Sequence, residues 1–278
     1  MVVYNIAVLV FLFSFLVILV WNLLIIRRRC AKDEVLKDFP FVSILVPMRN
    51  EEQNAEPCLT SLLNLDYPKF EVIALDDDST DNTKKILYDL QKKYKKLKII
   101  ENNFLPEGWI GKSWACKLLT DQSTGEYLLF TDADTIHKTE SLKKIMNCMN
   151  RYDSDLISIL PEQKLVTFPE KLLVPFLYFV LAVFLPMFMI KYNKFPRFSA
   201  AIGQYLLFKR AAYEKIGGHE AVRNSIIEDL HLARLIKQNN LKLTLLDGSD
   251  LVTCRMYREL NEIITGFNHK LLWDGFPL

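Results

Sequence analysis

From Phe41 onward, short apolar runs alternate with segments of helical period, and acidic residues gather where the apolar runs end. Residues 42–46 read as a strand closed by Pro47, 70–75 as a second strand, 97–100 as a third and 126–130 as a fourth. Between them, 51–63 carries Ala55, Leu59, Leu62 and Leu63 on one stripe, and 81–94 carries Ile86, Leu90 and Tyr94. A further helix is expected near 112–119. This alternation predicts an α/β fold, a mostly parallel sheet with helices on both faces. Ligands of such sheets bind beyond the carboxyl ends of the strands. Asp76, Asp77 and Asp78 follow the second strand and Asp132 and Asp134 the fourth, so the acids fall where a ligand would lie.

If the fourth strand stays extended through Asp134, the Asp132 and Asp134 side chains leave the same side of the chain. Mg²⁺ takes only one or two protein carboxylates and leaves its other positions to water and phosphate oxygens, so the pair suits a metal–diphosphate platform. Two turn-capping aspartates would show the same spacing. Farther along, 203–209 and 241–246 read as strands and 259–272 as an amphipathic helix. Residues 225–238 read as a helix with Ile226, Leu230, Ala233 and Ile236 buried. Ser225 and Glu228 form a Ser-x-x-Glu capping box, which accounts for Glu228 and leaves Asp229 without a structural task. One site could gather Asp76, Asp77, Asp132, Asp134 and Asp229 with Arg49, Lys112, Arg255 and Arg258. Metal-binding carboxylates beside separate cations suit a nucleotide diphosphate. A metal-free carboxylate, Asp229, could take the proton of an attacking hydroxyl. His137, His219 and His231 lack ligand spacing to a second His or Cys. No Gly-x-Gly-x-x-Gly or Walker loop is present, which counts against dehydrogenases and P-loop enzymes.

Residues 2–26 contain no charged side chain and are long enough to cross a bilayer. Arg27, Arg28, Arg29 and Lys32 follow at once, with no Lys or Arg before them, which predicts an outside N-terminus and a cytoplasmic remainder. A cleaved signal peptide would want a basic start and a shorter apolar run. Residues 1–30 are therefore expected to anchor the chain in the cell membrane by a single span, with 31–278 as one domain behind a polar linker. A second apolar stretch, 172–190, is interrupted by Pro175 and Pro186. A crossing there would separate the acidic strand ends from Glu228 and Asp229, so it is expected to lie in the membrane interface or to pack as a buried wall. Lys191, Lys194 and Arg197 beside it favour the surface. Net charge is only +2, which gives no bulk reason to expect nucleic acid. The five cysteines form no Cys-x-x-Cys pair, which fits reduced thiols facing a cytosol.

Several motifs occur in an order that resembles the inverting glycosyltransferases of family 2, which have the GT-A fold. The segment from Val46 through Pro47, Met48, Arg49, Asn50 and Glu51 to Glu52 resembles that family's first strand and loop, which line the nucleotide pocket. Leu75-Asp76-Asp77-Asp78-Ser79-Thr80-Asp81 is similar to its Asp-Asp-x-Ser-x-Asp motif, whose acids hold uracil and ribose; Asp78 occupies a position often Gly or Arg. Asp132-Ala133-Asp134 resembles the Asp-x-Asp metal motif and Ile227-Glu228-Asp229 the Glu-Asp motif that carries the general base. The run from Pro106 to Cys116, Gly217-Gly218-His219-Glu220 and Arg255-Met256-Tyr257 are similar to the carotenoid-acid (4,4'-diaponeurosporenoate) glucosyltransferases and their hopanoid-associated relatives.

The resemblance implies a UDP-sugar donor, UDP-glucose foremost, Mg²⁺ or Mn²⁺ on Asp132 and Asp134, and a lipophilic acceptor such as a carotenoid acid. It also implies donor contacts from Pro47, Arg49, Asn50, Glu51, Asp76, Asp77, Lys112, Gln204, Arg255 and Arg258, and catalytic roles for Asp229 and Glu228. Three departures stand out. The Gln-x-x-Arg-Trp signature of processive synthases is absent, Glu259 standing where Trp would be. The family's Asn-Gly-Gln reads Ile202-Gly203-Gln204. The chain stops at Leu278 without further apolar spans, which leaves open a truncated, catalytically impaired scaffold. A sugar nucleotidyltransferase would want a glycine-rich first loop, which 47–52 lacks.

Overall fold

A computed structural model describes residues 1–26, 38–184, 187–191, 195–258, 260 and 262–265. The expected alternation is present. β1 (Val42–Met48), β2 (Phe70–Asp77), β3 (Leu97–Asn102) and β4 (Tyr127–Phe130) are joined by α2 (Ala55–Leu63), α3 (Thr83–Lys93) and α4 (Gly111–Asp121). After β5 (Thr135–His137) come α5 (Ser141–Tyr152), β6 (Leu156–Leu160), β7 (Glu162–Gln163) and α6 (Phe168–Phe184). The chain continues through β8 (Leu206–Lys209), α7 (Arg210–Lys215), α8 (Glu228–Gln238), β9 (Leu243–Asp247) and β10 (Val252–Cys254); α1 (Val2–Ile26) precedes all of these. The large sheet has the order β3-β2-β1-β4-β8-β6-β9, and a small one the order β5-β10-β7. Within the large sheet only β8 runs against its neighbours.

Side-chain alternation divides each strand between two cores. Val42, Ile44, Val46, Val72, Ala74 and Leu129 face α2, α3 and α5, while Leu45, Ile73, Leu75, Leu128 and Phe130 face α4, α7 and α8. The strand order turns at β1, which has β2 on one side and β4 on the other. That is the switch point where an α/β sheet opens a crevice. Residues 49–54 leave β1 there, and Asp132 and Asp134 leave β4.

Several boundaries differ from the sequence pattern. Pro47 does not close β1: it lies inside the strand, but pairing with β4 has ended at Leu45, and a missing N–H is tolerated on a strand freed along one edge. β2 runs on to Asp77, so Asp76 and Asp77 belong to the strand. α2 begins at Ala55 instead of residue 51. On α8 it is Leu232, with Ala233 and Ile236, that is buried where Leu230 was expected. The linker at 31–37 and most of 259–272 lie outside the described residues. Cys58, Cys116 and Cys254 are free buried thiols as expected, whereas Cys148 is disulfide-bonded.

α1 is apolar enough to cross a membrane and is the one such helix among the described residues. It packs against α6 and against the 3₁₀ turn Met187–Lys191, where the buried Asn22 accepts the Met187 N–H at 2.9 Å. The second apolar stretch is thus a helix containing Pro175 followed by a separate turn. Phe168, Leu172, Phe176 and Phe179 of α6 are exposed. Behind the turn, the Lys237 ammonium is buried and donates to the carbonyls of Met189, Phe195 and Phe198 at 2.9–3.0 Å. Burial pushes its pKa down to about 8.

Gly217 and Gly218 adopt φ of +81° and +52°, which L side chains rarely do. A Cβ on Gly218 would meet the Tyr213 ring at 2.5 Å. Gly218→Ala is expected to destabilise the fold by about 2–3 kcal/mol, measured by denaturant unfolding; an unchanged midpoint would contradict this packing.

Candidate functional site

The loops leaving β1 and β2 are bound to each other by side chains. The Asn50 N–H reaches Ser79 Oγ at 3.0 Å, the Glu51 N–H reaches Thr83 Oγ1 at 2.7 Å, and the Glu52 N–H reaches Asp81 Oδ2 at 3.0 Å. In return Asn50 Oδ1 accepts the Thr80 N–H at 2.8 Å. These bonds explain why residues 51–54 stay out of α2, and Asp81 also caps the Thr83 N–H as an acid before a helix commonly does. Asn50 and Asp78 both have positive φ, 56° and 55°. Left-handed backbone of this kind is reached by Asn and Asp more readily than by most residues, and by Gly most readily.

β4 does not persist to Asp134, as extended geometry would have required; it ends at Phe130. Thr131 and Thr135 fold the next residues into a turn, Thr131 Oγ1 donating to the Gln204 carbonyl and Thr135 Oγ1 to the Asp132 carbonyl, each at 2.8 Å. Asp132 and Asp134 still share one neighbourhood, because the charge of Asp132 acts on Asp134. Burial first and that charge second push Asp134 up to about 6. Asp134 Oδ2 accepts the Cys254 thiol at 3.2 Å, while Oδ1 is buried without a protein partner.

Lys112, in the first turn of α4, joins the two halves of the site. Its Nζ lies 2.8 Å from Asp132 Oδ1 and 2.9 Å from Glu228 Oε1. Burial works against the ammonium, but the two carboxylates outweigh it and hold its pKa well above the usual value. Glu228 is buried and makes no capping box: the Ser225 hydroxyl has no partner, and α8 starts at Glu228 without a side-chain cap. Burial raises the Glu228 pKa, opposed by Lys112 and reinforced by Asp229. Asp229 accepts the Gly203 N–H at 2.9 Å, and a Cβ on Gly203 would sit 3.3 Å from Lys112 Nζ and 3.4 Å from Asp229 Oδ2. Residues separated by about a hundred positions thus meet around one ammonium. The Ile202 departure leaves this intact, its N–H and carbonyl both bonded to Ser158 Oγ.

The other expected residues divide. Asp76 is buried with Oδ1 unpartnered; Asp77 accepts the Asn102 amide at 2.6 Å and lies so near Gly111 that a Cβ there would sit 3.2 Å from Oδ2. A cleft of about 690 Å³ is lined by Asn50, Glu51, Asp134, Arg255 and Arg258 among others. Arg49 is exposed and does not line it. Arg258 donates to Asn54 Oδ1 at 2.7 Å and Arg255 to Glu170 at 2.9 Å. Gln204 is buried, and its amide is engaged by Cys254 and Gln163, behind the Asp134 turn. His137 and His219 are buried, and burial pushes each down to about 3, so both are neutral packing groups. Cys254 and Glu170 carried no signal beyond their own letters; each becomes visible only through its contact with a site residue or its neighbour.

The donors present fit a hard divalent ion. Asp132 and Asp134 offer carboxylate oxygens, one of them orphaned, and Mg²⁺ or Mn²⁺ bound with a diphosphate needs few protein ligands. No group of three or more metal-type side chains occurs among the described residues.

Residues 43–217 match the family model for glycosyl transferase family 2. The chain is 29% identical over 78% of its length to a 4,4'-diaponeurosporenoate glycosyltransferase of Staphylococcus haemolyticus, and it spans 56% of that protein. It is 36% identical to a beta-monoglucosyldiacylglycerol synthase of a Nostoc species, over 45% of this chain and 27% of the relative. Among solved structures, the fold is similar to the mannosyltransferase PcManGT of Pyrobaculum calidifontis, determined with GDP-Man and Mn²⁺, with TM-score 0.63 and 20% identity over 87% of this chain and 64% of that one. It is also similar to Staphylococcus aureus TarS in complex with UDP-GlcNAc, with TM-score 0.55 and 20% identity over 81% and 61%. Matched sequence and the expected GT-A sheet agree: the chain belongs to glycosyl transferase family 2.

Proposed function

We propose that the chain transfers a sugar, with inversion, from a UDP-sugar, UDP-glucose foremost, to a lipophilic acceptor at the cytoplasmic face of a membrane. The observation that carries this reading is the meeting of Asp132, Glu228 and Asp229 around Lys112, beside Asp134 and a cleft whose charged lining, mostly acidic, also holds Arg255 and Arg258. Asp76 and Asp77, with the 49–54 loop, would bind the nucleoside. Asp229 would accept the acceptor proton while the acceptor oxygen bonds to the anomeric carbon and the bond from that carbon to the diphosphate breaks. Lys112, Arg255 and Arg258 would offset charge developing on the departing UDP. Mg²⁺ or Mn²⁺ held by Asp132 and Asp134 would supply further charge neutralisation when bound. Glu228 would keep Lys112 in place.

The lipophilic acceptor is supported by the names of the relatives and by α1 and α6. A helix fit to span a bilayer packs along one whose exposed face carries Phe168, Leu172, Phe176 and Phe179. With α1 across the membrane, that face would lie in the lipid interface.

Membranes containing the full chain, incubated with a panel of labelled UDP-sugars, should yield one labelled lipid, lost on chelation of divalent metal. Label in no lipid extract would refute the reading. Mn²⁺ affinity should also fall as pH drops through about 6, because Asp134 then takes up the proton that metal must displace. Titration calorimetry at pH 5 and pH 7.5 reads this, and equal affinities would remove Asp134 from the metal site.

A further inference from the structure

Glu170 lies in the first turn of α6, a helix that is apolar beyond Lys171, and is 1% exposed. Its Oε2 accepts the N–H groups of Val166 and Thr167, and its Oε1 accepts the Arg255 guanidinium at 2.9 Å. Burial alone would raise this carboxyl, but those bonds overcome it and hold the pKa down at about 2. The small sheet dictates the encounter. β10 runs antiparallel to β5 with Cys254 opposite Thr135, so Arg255 emerges beside Asp134 and its N–H reaches the Asp134 carbonyl at 3.3 Å. β7 pairs with the other edge of β10, and the chain leaves β7 toward the turn that opens α6. Arg255 Nε and Asp134 Oδ1 are buried without protein partners, and both residues line the cleft. A cation and an anion with spare bonding capacity at one spot suit a ligand that brings phosphate oxygens and a metal together.

We propose that Glu170 is a positioning residue. It fixes the Arg255 guanidinium at the diphosphate end of the cleft and so joins α6, the helix whose apolar face meets the membrane, to the site. This rests on the functional reading above. Glu170 touches no substrate, and its effect passes wholly through Arg255. Without it, a guanidinium on a flexible stem must be ordered by the ligand, and binding is weakened accordingly.

The test is a double-mutant cycle on UDP affinity, measured by calorimetry with Mn²⁺ on the full chain in lipid nanodiscs. Glu170→Gln is isosteric: its amide oxygen can still accept the Val166 and Thr167 N–H groups, while its amide nitrogen turns away Arg255. Glu170→Gln and Arg255→Gln are each expected to weaken UDP binding about tenfold, the scale of one charge-assisted bond. The double variant should bind no more weakly than Arg255→Gln alone. Losses that multiply in the double variant overturn the proposal, as does a Glu170→Gln protein that melts earlier yet binds UDP normally. A wild-type chain that binds no UDP overturns the functional reading as well, an outcome distinct from both.

Discussion

Asp229→Asn is expected to lower turnover with a hydroxyl-bearing lipid acceptor by about 10³-fold, the usual reach of a positioned base. UDP affinity should stay within about threefold, because the change removes an interaction made in the transition state and leaves ground-state contacts alone. The substitution is mild structurally. The amide oxygen of Asn can keep the bond from the Gly203 N–H that now ends on Asp229. Acceptor chemistry refines the expectation. A carboxylic acid is already ionised near neutral pH, so its oxygen attacks without giving up a proton. With such an acceptor the loss should shrink to about tenfold or less, since base catalysis is what the Asn removes. The ratio of the two losses therefore reports which oxygen is glycosylated. Undiminished turnover on an alcohol would remove Asp229 from the role of base.

Lys112→Met should be nearly as damaging, and in two ways at once. On the proposed reading the site loses a cation that would face the departing diphosphate, with an expected fall in kcat/KM of about 10²–10³-fold. The fold loses the partner of Glu228, whose buried carboxylate then lies near Asp229 and Asp132 without compensation. Stranding a buried charge commonly costs about 3 kcal/mol or more, though Lys112 is itself 40% exposed, so about 2 kcal/mol is the expectation here. Adding Glu228→Gln to Lys112→Met should restore the unfolding midpoint without restoring activity, since a neutral amide no longer needs the ammonium. Recovery of both, or of neither, would mean the three-way ion pair has been misread.

Much of the sheet was legible because its first four strands are short, mostly apolar runs, the second and fourth followed by acids. α5 is not among the helices expected from the sequence, although its Leu142, Ile145, Met146 and Met149 are spaced for one helix face. The small sheet was not legible. β5, β7 and β10 are two or three residues long and show no period, and their pairing is set by the turn at Asp132–Asp134 and by the chain returning after β9. The capping box at Ser225 failed for a similar reason. Local bonding favours Glu228 turned back on its own helix, but Lys112 offers a charge partner that outweighs a neutral cap. Extended geometry for Asp132 and Asp134 also fails, since β4 ends at Phe130, yet the turn that replaces the strand keeps the two carboxylates near enough for the charge of one to act on the other. Cys254, whose thiol donates to Asp134, could not have been picked out from five scattered cysteines.

Lys237 gives α8 a mechanical character. The helix rises about 14 Å from Glu228 to Lys237, with Glu228 and Asp229 at one end and an ammonium holding the carbonyls of Met189, Phe195 and Phe198 at the other. Rods of this length transmit displacement instead of absorbing it. On the proposed reading, a shift of the Met187–Lys191 turn at the lipid interface would be carried along α8 toward Glu228 and Asp229, so that bilayer thickness would become a variable of the enzyme.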